Sequence, residues 1–222
     1  MDPSNEKGNI LPEGICLIEV PSFGGRVLVP AVDSLKKVKG NHAKAVLIAV
    51  FGNRAYDDTI LELKDIAEES GFECIAAIAV EAEHSIMHQI GSGRTEEQYK
   101  EELKNYVAQI FHRLSEGRSF GALSVSGKRP YREYKGLPFQ PKAGKACNEC
   151  GRCAGICPVG AIGKDNPRVT DNLKCITCMV CVAACPDNVR KLNPVLLKAA
   201  SAKMKKICST RKENLWIMGA DS

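Results

Sequence analysis

Long hydrophobic runs are missing from this chain. Among its 222 residues the longest apolar run, Ala45 to Phe51, is only strand-sized. A helix needs about 20 apolar residues to cross a bilayer, so no membrane span is expected. The first fourteen residues lack the basic and apolar regions of a secretory leader, and their acids do not suit a transit peptide. No Ser-His-Asp grouping and no glycosidase-like pair of carboxylates can be argued. Disorder is also excluded, because 44% of the residues are hydrophobic and 26% charged. What remains is a globular chain with room for one domain or two small ones.

Cysteine is what the chain has in excess. It holds 11, an odd number, and eight of them fall between Cys147 and Cys185. A secreted disulfide scaffold would be shorter and would spread its cysteines. Charge divides at a similar place. Residues 1–116 hold 12 Lys and Arg against 19 Asp and Glu, a balance of −7, whereas residues 117–222 hold 19 against 7, a balance of +12.

The first half reads as α/β. Ile15–Val20, Ala45–Val50 and Cys74–Val80 are apolar runs without alternation, as in parallel strands buried on both faces. Helical patterns lie over Val32–Val38, over Asp57–Ser70 with acids in its first turn, and over Thr95–Leu114. The last has a Thr95 capping box and an apolar stripe of Tyr99, Leu103, Tyr106, Val107, Ile110 and Leu114. This suggests an α/β domain over 1–116. A Gly-, Pro- and Lys/Arg-rich surface linker follows over 117–140, with Phe120, Tyr131, Tyr134 and Phe139 around it. The cysteine-rich domain spans 141–196. A basic helix near Val195–Cys208 and a frayed tail complete 197–222.

Cys147, Cys150, Cys153 and Cys157 follow C-x₂-C-x₂-C-x₃-C-P. Cys175, Cys178, Cys181 and Cys185 repeat it with a period of 28 residues. Three thiolates on a tight loop can cap three irons of a cubane, and the fourth, before proline, turns away to the other cluster. The spacing therefore assigns Cys147, Cys150, Cys153 and Cys185 to one [4Fe–4S] centre. It assigns Cys175, Cys178, Cys181 and Cys157 to a second. Small residues at Ala154, Gly155, Ala183 and Ala184 are expected to let N–H groups approach the sulfurs. A zinc site would need four ligands, commonly two separated C-x₂-C pairs, and would not need the third cysteine or the trailing Cys-Pro twice. The region from Lys142 to about Pro194 resembles the bacterial-type two-cluster ferredoxins. That resemblance implies an α+β ferredoxin-like fold and single-electron relay. After the last cysteine this chain departs from the family with Asp187-Asn188-Val189-Arg190, which puts charge at an apolar position and could shift a potential.

Two loops of the first half, Pro21–Arg26 and Gly52–Asp57, lie at strand C-terminal ends, where open α/β sheets bind ligands. They resemble the isoalloxazine-flanking loops of flavodoxins. The stretch Gly14 to Pro194 resembles the flavodoxin–ferredoxin fusions of anaerobic bacteria. That resemblance implies a partial flavodoxin-like parallel sheet, with Phe23, Gly24 and Tyr56 beside a bound FMN and Asn53 and Asp57 at its polar edge. The family's first strand and its phosphate-binding Ser/Thr-Gly-Asn loop have no counterpart in Met1–Gly14, and about three of five strands remain. A start site set too late, a decayed domain pairing its open edge with a partner, and a domain kept as a docking surface are the three explanations weighed.

The expectation is thus an iron–sulfur electron-transfer protein of the cytoplasm, more a carrier or redox subunit than a stand-alone enzyme. Two [4Fe–4S] clusters are its cofactors. Redox proteins docking on the basic half are its expected partners, with pairing at the open edge of the sheet as a further contact. The alternatives are an FMN-dependent oxidoreductase and a redox sensor or structural subunit. Lys203, Lys205, Lys206, Arg211 and Lys212 suit an acidic redox partner or a solvated face, and a nucleic-acid reading is set aside because the clusters themselves supply negative charge. His84 and His88, four apart as on a helix face, read as structural beside Glu81 and Glu83. Cys16 and Cys74 read as core residues, and Cys208 as an exposed thiol.

Overall fold

The computed structural model describes residues 14–92 and 96–220. The polar start and the Thr95 cap lie outside the described residues. In chain order the elements are β1 (Ile15–Pro21), α1 (Val29–Leu35), β2 (Lys44–Phe51), α2 (Thr59–Glu69), β3 (Glu73–Glu81), α3 (Glu96–Ser115), β4 (Lys142–Ala143), α4 (Arg152–Gly155), α5 (Val180–Ala183), β5 (Arg190–Lys191), α6 (Pro194–Ile207) and β6 (Leu215–Met218). They divide into two compact units. The first holds the described residues up to His84, Gln89 to Tyr134, and Arg211 onward; the second holds Ser85–His88 and Lys135–Thr210.

The sheet unit forms because its strands are apolar on both sides. Ala45, Leu47 and Ala49 face one side with Leu35, Ile60, Leu63 and Ile66 from α1 and α2. Val46, Ile75, Ala76 and Ile78 belong to the other side, with Tyr106 and Ile110 of α3 and Phe120. Each such Leu or Ile contributes roughly 1.5–3 kcal/mol. β1, β2 and β3 pair in parallel, as the apolar runs predict. β1 is the edge strand, and Leu17 on it is 69% exposed.

Three expectations about this unit change. The C-terminal tail is not frayed over Leu215–Met218, because that stretch pairs antiparallel with β3 as the fourth strand. Trp216 packs on Tyr106 with ring centroids 5.1 Å apart, and Arg113 donates to the carbonyls of Gly219 (2.9 Å) and Ala220 (2.6 Å). The stripe on α3 splits: Tyr106 and Ile110 are buried, while Leu103 and Val107 are exposed, as is Phe111 beside it. His84 and His88 share no helix face, since the chain after β3 is an irregular loop.

Residues 117–134 of the segment read as a surface linker form instead a strap tied to the first unit. Phe120 and Leu123 are buried in the core. Gly127 lies so close to Leu61 of α2 that a Cβ there would clash. Asp58, at the N-cap position of α2, caps nothing with its side chain. Its carboxylate accepts instead from the strap N–H groups of Lys128 (2.9 Å) and Arg132 (2.7 Å). Burial would push this carboxyl up, but those two N–H groups and the charges of Arg132 and Arg26 hold it below the usual carboxylate range. Farther along α2, Asp65 accepts from Arg129 (2.8 Å) and from the Tyr131 hydroxyl.

The second unit has little regular structure. β4 and β5 form a two-stranded antiparallel ribbon, and α4 and α5 are single turns. α6 begins at Asn193, whose side chain accepts from the N–H groups of Val195 (3.0 Å) and Leu196 (3.2 Å), with Pro194 following. Cys208 at its C-cap is buried rather than exposed, its N–H closing the last turn on Met204.

Candidate metal centre

The 28-residue sequence period is also a period of the backbone. Positive φ occurs at Glu149 (60°), Gly151 (72°) and Gly160 (60°), and again at Thr177 (53°), Met179 (66°) and Asn188 (51°). The middle cysteine of each loop, Cys150 or Cys178, is thus flanked on both sides by left-handed residues. This curls the loop so that its three sulfurs face one centre. The hydrogen bonds repeat as well. Ala154 N–H and Gly155 N–H donate to Gly151 O, as Val182 N–H and Ala183 N–H donate to Met179 O. The small residues Ala154, Gly155, Ala183 and Ala184 therefore spend their N–H groups on the α4 and α5 turns, not on sulfur.

Two cavities result. Cys147, Cys150, Cys153 and Cys185 line one. Cys157, Cys175, Cys178 and Cys181 line the other. The fourth cysteine of each repeat lines the cavity of the other repeat. All eight are free thiols. Among the described residues no three His, Cys, Asp or Glu converge on a single-ion position. The thiols instead stand around open volumes, the arrangement that a polynuclear core requires.

Sulfur-directed donors come from the backbone after the fourth cysteines. Ala161 N–H lies 3.2 Å from Cys157 Sγ. Burial would raise the Cys185 thiol, but the N–H groups of Val189, Arg190 and Asp187 hold it below its ordinary value. Cys178 is raised, first by burial and further by the neighbouring Cys157 and Cys175, against the N–H group of Val180. Burial pushes the Cys181 thiol up to about 11, against the opposing charge of Arg190. Four crowded, partly desolvated thiols favour binding of a cationic centre, which removes both the desolvation and the mutual repulsion of the thiolates. The residues present fit [4Fe–4S] clusters.

The loops assigned to flavin come together but close on each other. Asp58 N–H donates to Gly25 O (3.1 Å), and Asp57 packs over Gly25. The Asp57 carboxylate pairs with Arg54 and Arg132. Asn53, 3% exposed, accepts from Lys212 N–H (2.9 Å). Tyr56 packs edge-on against Phe51. Phe23 bridges to Arg26. The ring of Tyr134 covers Gly24, where any Cβ would collide with it. A side chain of the strap thus stands on the glycine that a flat cofactor would need. The sequence offered no signal for this closure.

Sequence reasoning also passed over the setting of Arg190, which is 2% exposed. It donates to Pro141 O (3.1 Å), Thr170 Oγ1 (2.7 Å) and Pro167 O.

Comparison with known proteins adds to this geometry. Residues 146–189 match the family model of the 4Fe-4S dicluster domain. The chain is 32% identical over 92 residues to the thiosulfate reductase electron transfer subunit PhsB of Salmonella typhi, covering 40% of this chain and 47% of that protein. It is 38% identical over 55 residues to the uncharacterized ferredoxin-like protein YdhX of Escherichia coli strain K12, covering 23% of this chain and 25% of that protein. The chain thus spans less than half the length of either relative. No solved structure matches. Together the matches support iron–sulfur electron transfer by a 4Fe–4S ferredoxin segment over residues 146–189.

Proposed function

We propose that this protein relays single electrons through two [4Fe–4S] clusters. Cys147, Cys150, Cys153 and Cys185 hold one, and Cys157, Cys175, Cys178 and Cys181 hold the other. The single observation that carries the reading is the exchange of fourth cysteines between two cavities built on the same backbone repeat. Bound clusters supply one-electron chemistry without bond making, at potentials set by hydrogen bonds to sulfur, charge and exposure. The chain's own residues provide the thiolates, the N–H donors to Cys157 and Cys185, and the loop curvature.

The protein works as a carrier or redox subunit. The likeness to an electron transfer subunit supports a protein partner that supplies or accepts the electrons. The basic helix α6, with Lys198, Lys203, Lys205 and Lys206, is the docking surface that fits an acidic partner. The edge strand β1 is a second contact.

Anaerobic purification or reconstitution tests the reading. About eight irons and about eight acid-labile sulfides per chain are expected, with a reversible low-potential couple. Zinc without sulfide would overturn it.

A further inference from the structure

Arg190 is the largest fully buried side chain among the described residues. Its three polar contacts are two backbone carbonyls and a threonine hydroxyl, all neutral. No Asp or Glu among the described residues pairs with it. An arginine carries its charge into the interior, and a buried cation without a counter-ion is strongly disfavoured. Its surroundings name the missing partner. Pro141 and Thr170, which anchor the guanidinium, line the cavity of Cys157, Cys175, Cys178 and Cys181. Pro167, the third anchor, lines the cavity of Cys147, Cys150, Cys153 and Cys185, and so does Arg190 itself. The only groups able to carry negative charge on these walls, apart from Asp187, are the eight thiols.

We propose that Arg190 is the fixed counter-charge shared by the two cluster cavities and sets how readily the clusters accept an electron. The inference rests on the two-cluster reading above. Adding an electron to a cluster adds negative charge, and a buried cation held beside it favours that step. The hydroxyl of Thr170 and the two carbonyls keep the guanidinium in place, so its charge does not relax away from the clusters. Positions 187–190 thus carry a tuning device: the N–H groups of this turn reach Cys185, and the side chain at its end reaches between the cavities.

The test compares Arg190→Met and Arg190→Gln, which remove the charge, with Arg190→Lys, which keeps it. Each is purified anaerobically, analysed for iron and sulfide, and titrated with dithionite while each cluster is followed by electron paramagnetic resonance. The uncharged variants are expected to disfavour one-electron reduction about tenfold, a fall of about 59 mV for one electron. Arg190→Lys is expected to stay near the wild type. Unchanged potentials in the uncharged variants overturn the proposal. So does an equal fall in Arg190→Lys, which would assign the effect to packing. If the uncharged variants lose iron and Arg190→Lys retains it, the counter-charge is needed for assembly and the proposal stands. Loss of iron in all three assigns Arg190 to scaffolding and overturns it. A wild type lacking iron and sulfide is a different result, and it refutes the two-cluster reading itself.

Discussion

The two units of this chain are held together by different physics. In the sheet unit, three parallel strands and one antiparallel strand are sandwiched between helices, and Leu47, Ile60, Leu63, Ile75 and Ile78 are nearly or fully buried. The cysteine unit has a two-residue ribbon, two single-turn helices and one longer helix, and of its eight candidate ligands only Cys181 is buried. The first can stand on apolar area. The second buries few apolar side chains, Phe139, Ala161, Ile162 and Leu192 among them, and a group bound by its thiols would do much of the work of a core.

The largest test of this contrast is to strip iron from the whole protein with chelator and oxidant. The cysteine unit is expected to lose its structure. Trp216, the sole tryptophan, lies in the sheet unit and should keep its native fluorescence. Parallel loss of both signals would break the comparison. Next comes Cys157→Ala. It should cost the cluster of Cys175, Cys178 and Cys181, leaving about half of the roughly eight irons. Paramagnetic resonance showing loss of the other cluster alone would refute the exchanged assignment.

In the sheet unit Leu47→Ala should cost about 2–5 kcal/mol by denaturant titration of Trp216 fluorescence, with the iron content unchanged. Asp58→Ala should cost about 1–3 kcal/mol, because two strap N–H groups lose their acceptor. Amide exchange at Lys128 and Arg132 reads this directly. The same bonds predict a pH dependence. Asp58 and Asp65 sit below the usual carboxylate range in the folded protein, for Asp65 despite burial and through Arg129 and Tyr131. Their contribution is therefore fully present above the unfolded value near 4 and is lost as pH falls through the lower folded values. Strap amides that stay protected as acid is added through this window would contradict it. The smallest effect is Met179→Gly. Relief of a left-handed residue, about 1–2 kcal/mol, is partly offset by about 0.5–1 kcal/mol of backbone entropy. A net gain between about 0 and 1.5 kcal/mol is expected, read as slower cluster loss on warming.

What could be read from the residues in advance follows the same division. β2 and β3 were legible because buried parallel strands are written as unbroken apolar runs. The cysteine pairs were legible because their spacing is itself the chemistry. β6 was not, since a four-residue strand after a polar stretch gains its meaning from β3, far away in sequence. The strap was illegible for a related reason: Asp58 reads as a first-turn acid and Asp65 as one charge among several within the helix, and only folding shows that they hold Lys128, Arg129 and Arg132. Arg190 looked like a charge out of place. Burial beside two groups of thiols gives it a partner that composition does not display.

The return of the chain to form β6 has a consequence for assembly. Because Arg211 onward belongs to the sheet unit, both ends of segment 135–210 are anchored on one folded body. In polymer terms the metal-binding segment is a closed loop even before any iron arrives. Its unbound ensemble is already restricted, so ordering the eight thiols starts from a smaller entropy deficit than a free tail would face. A truncation after Cys208 would keep every cysteine and still open that loop.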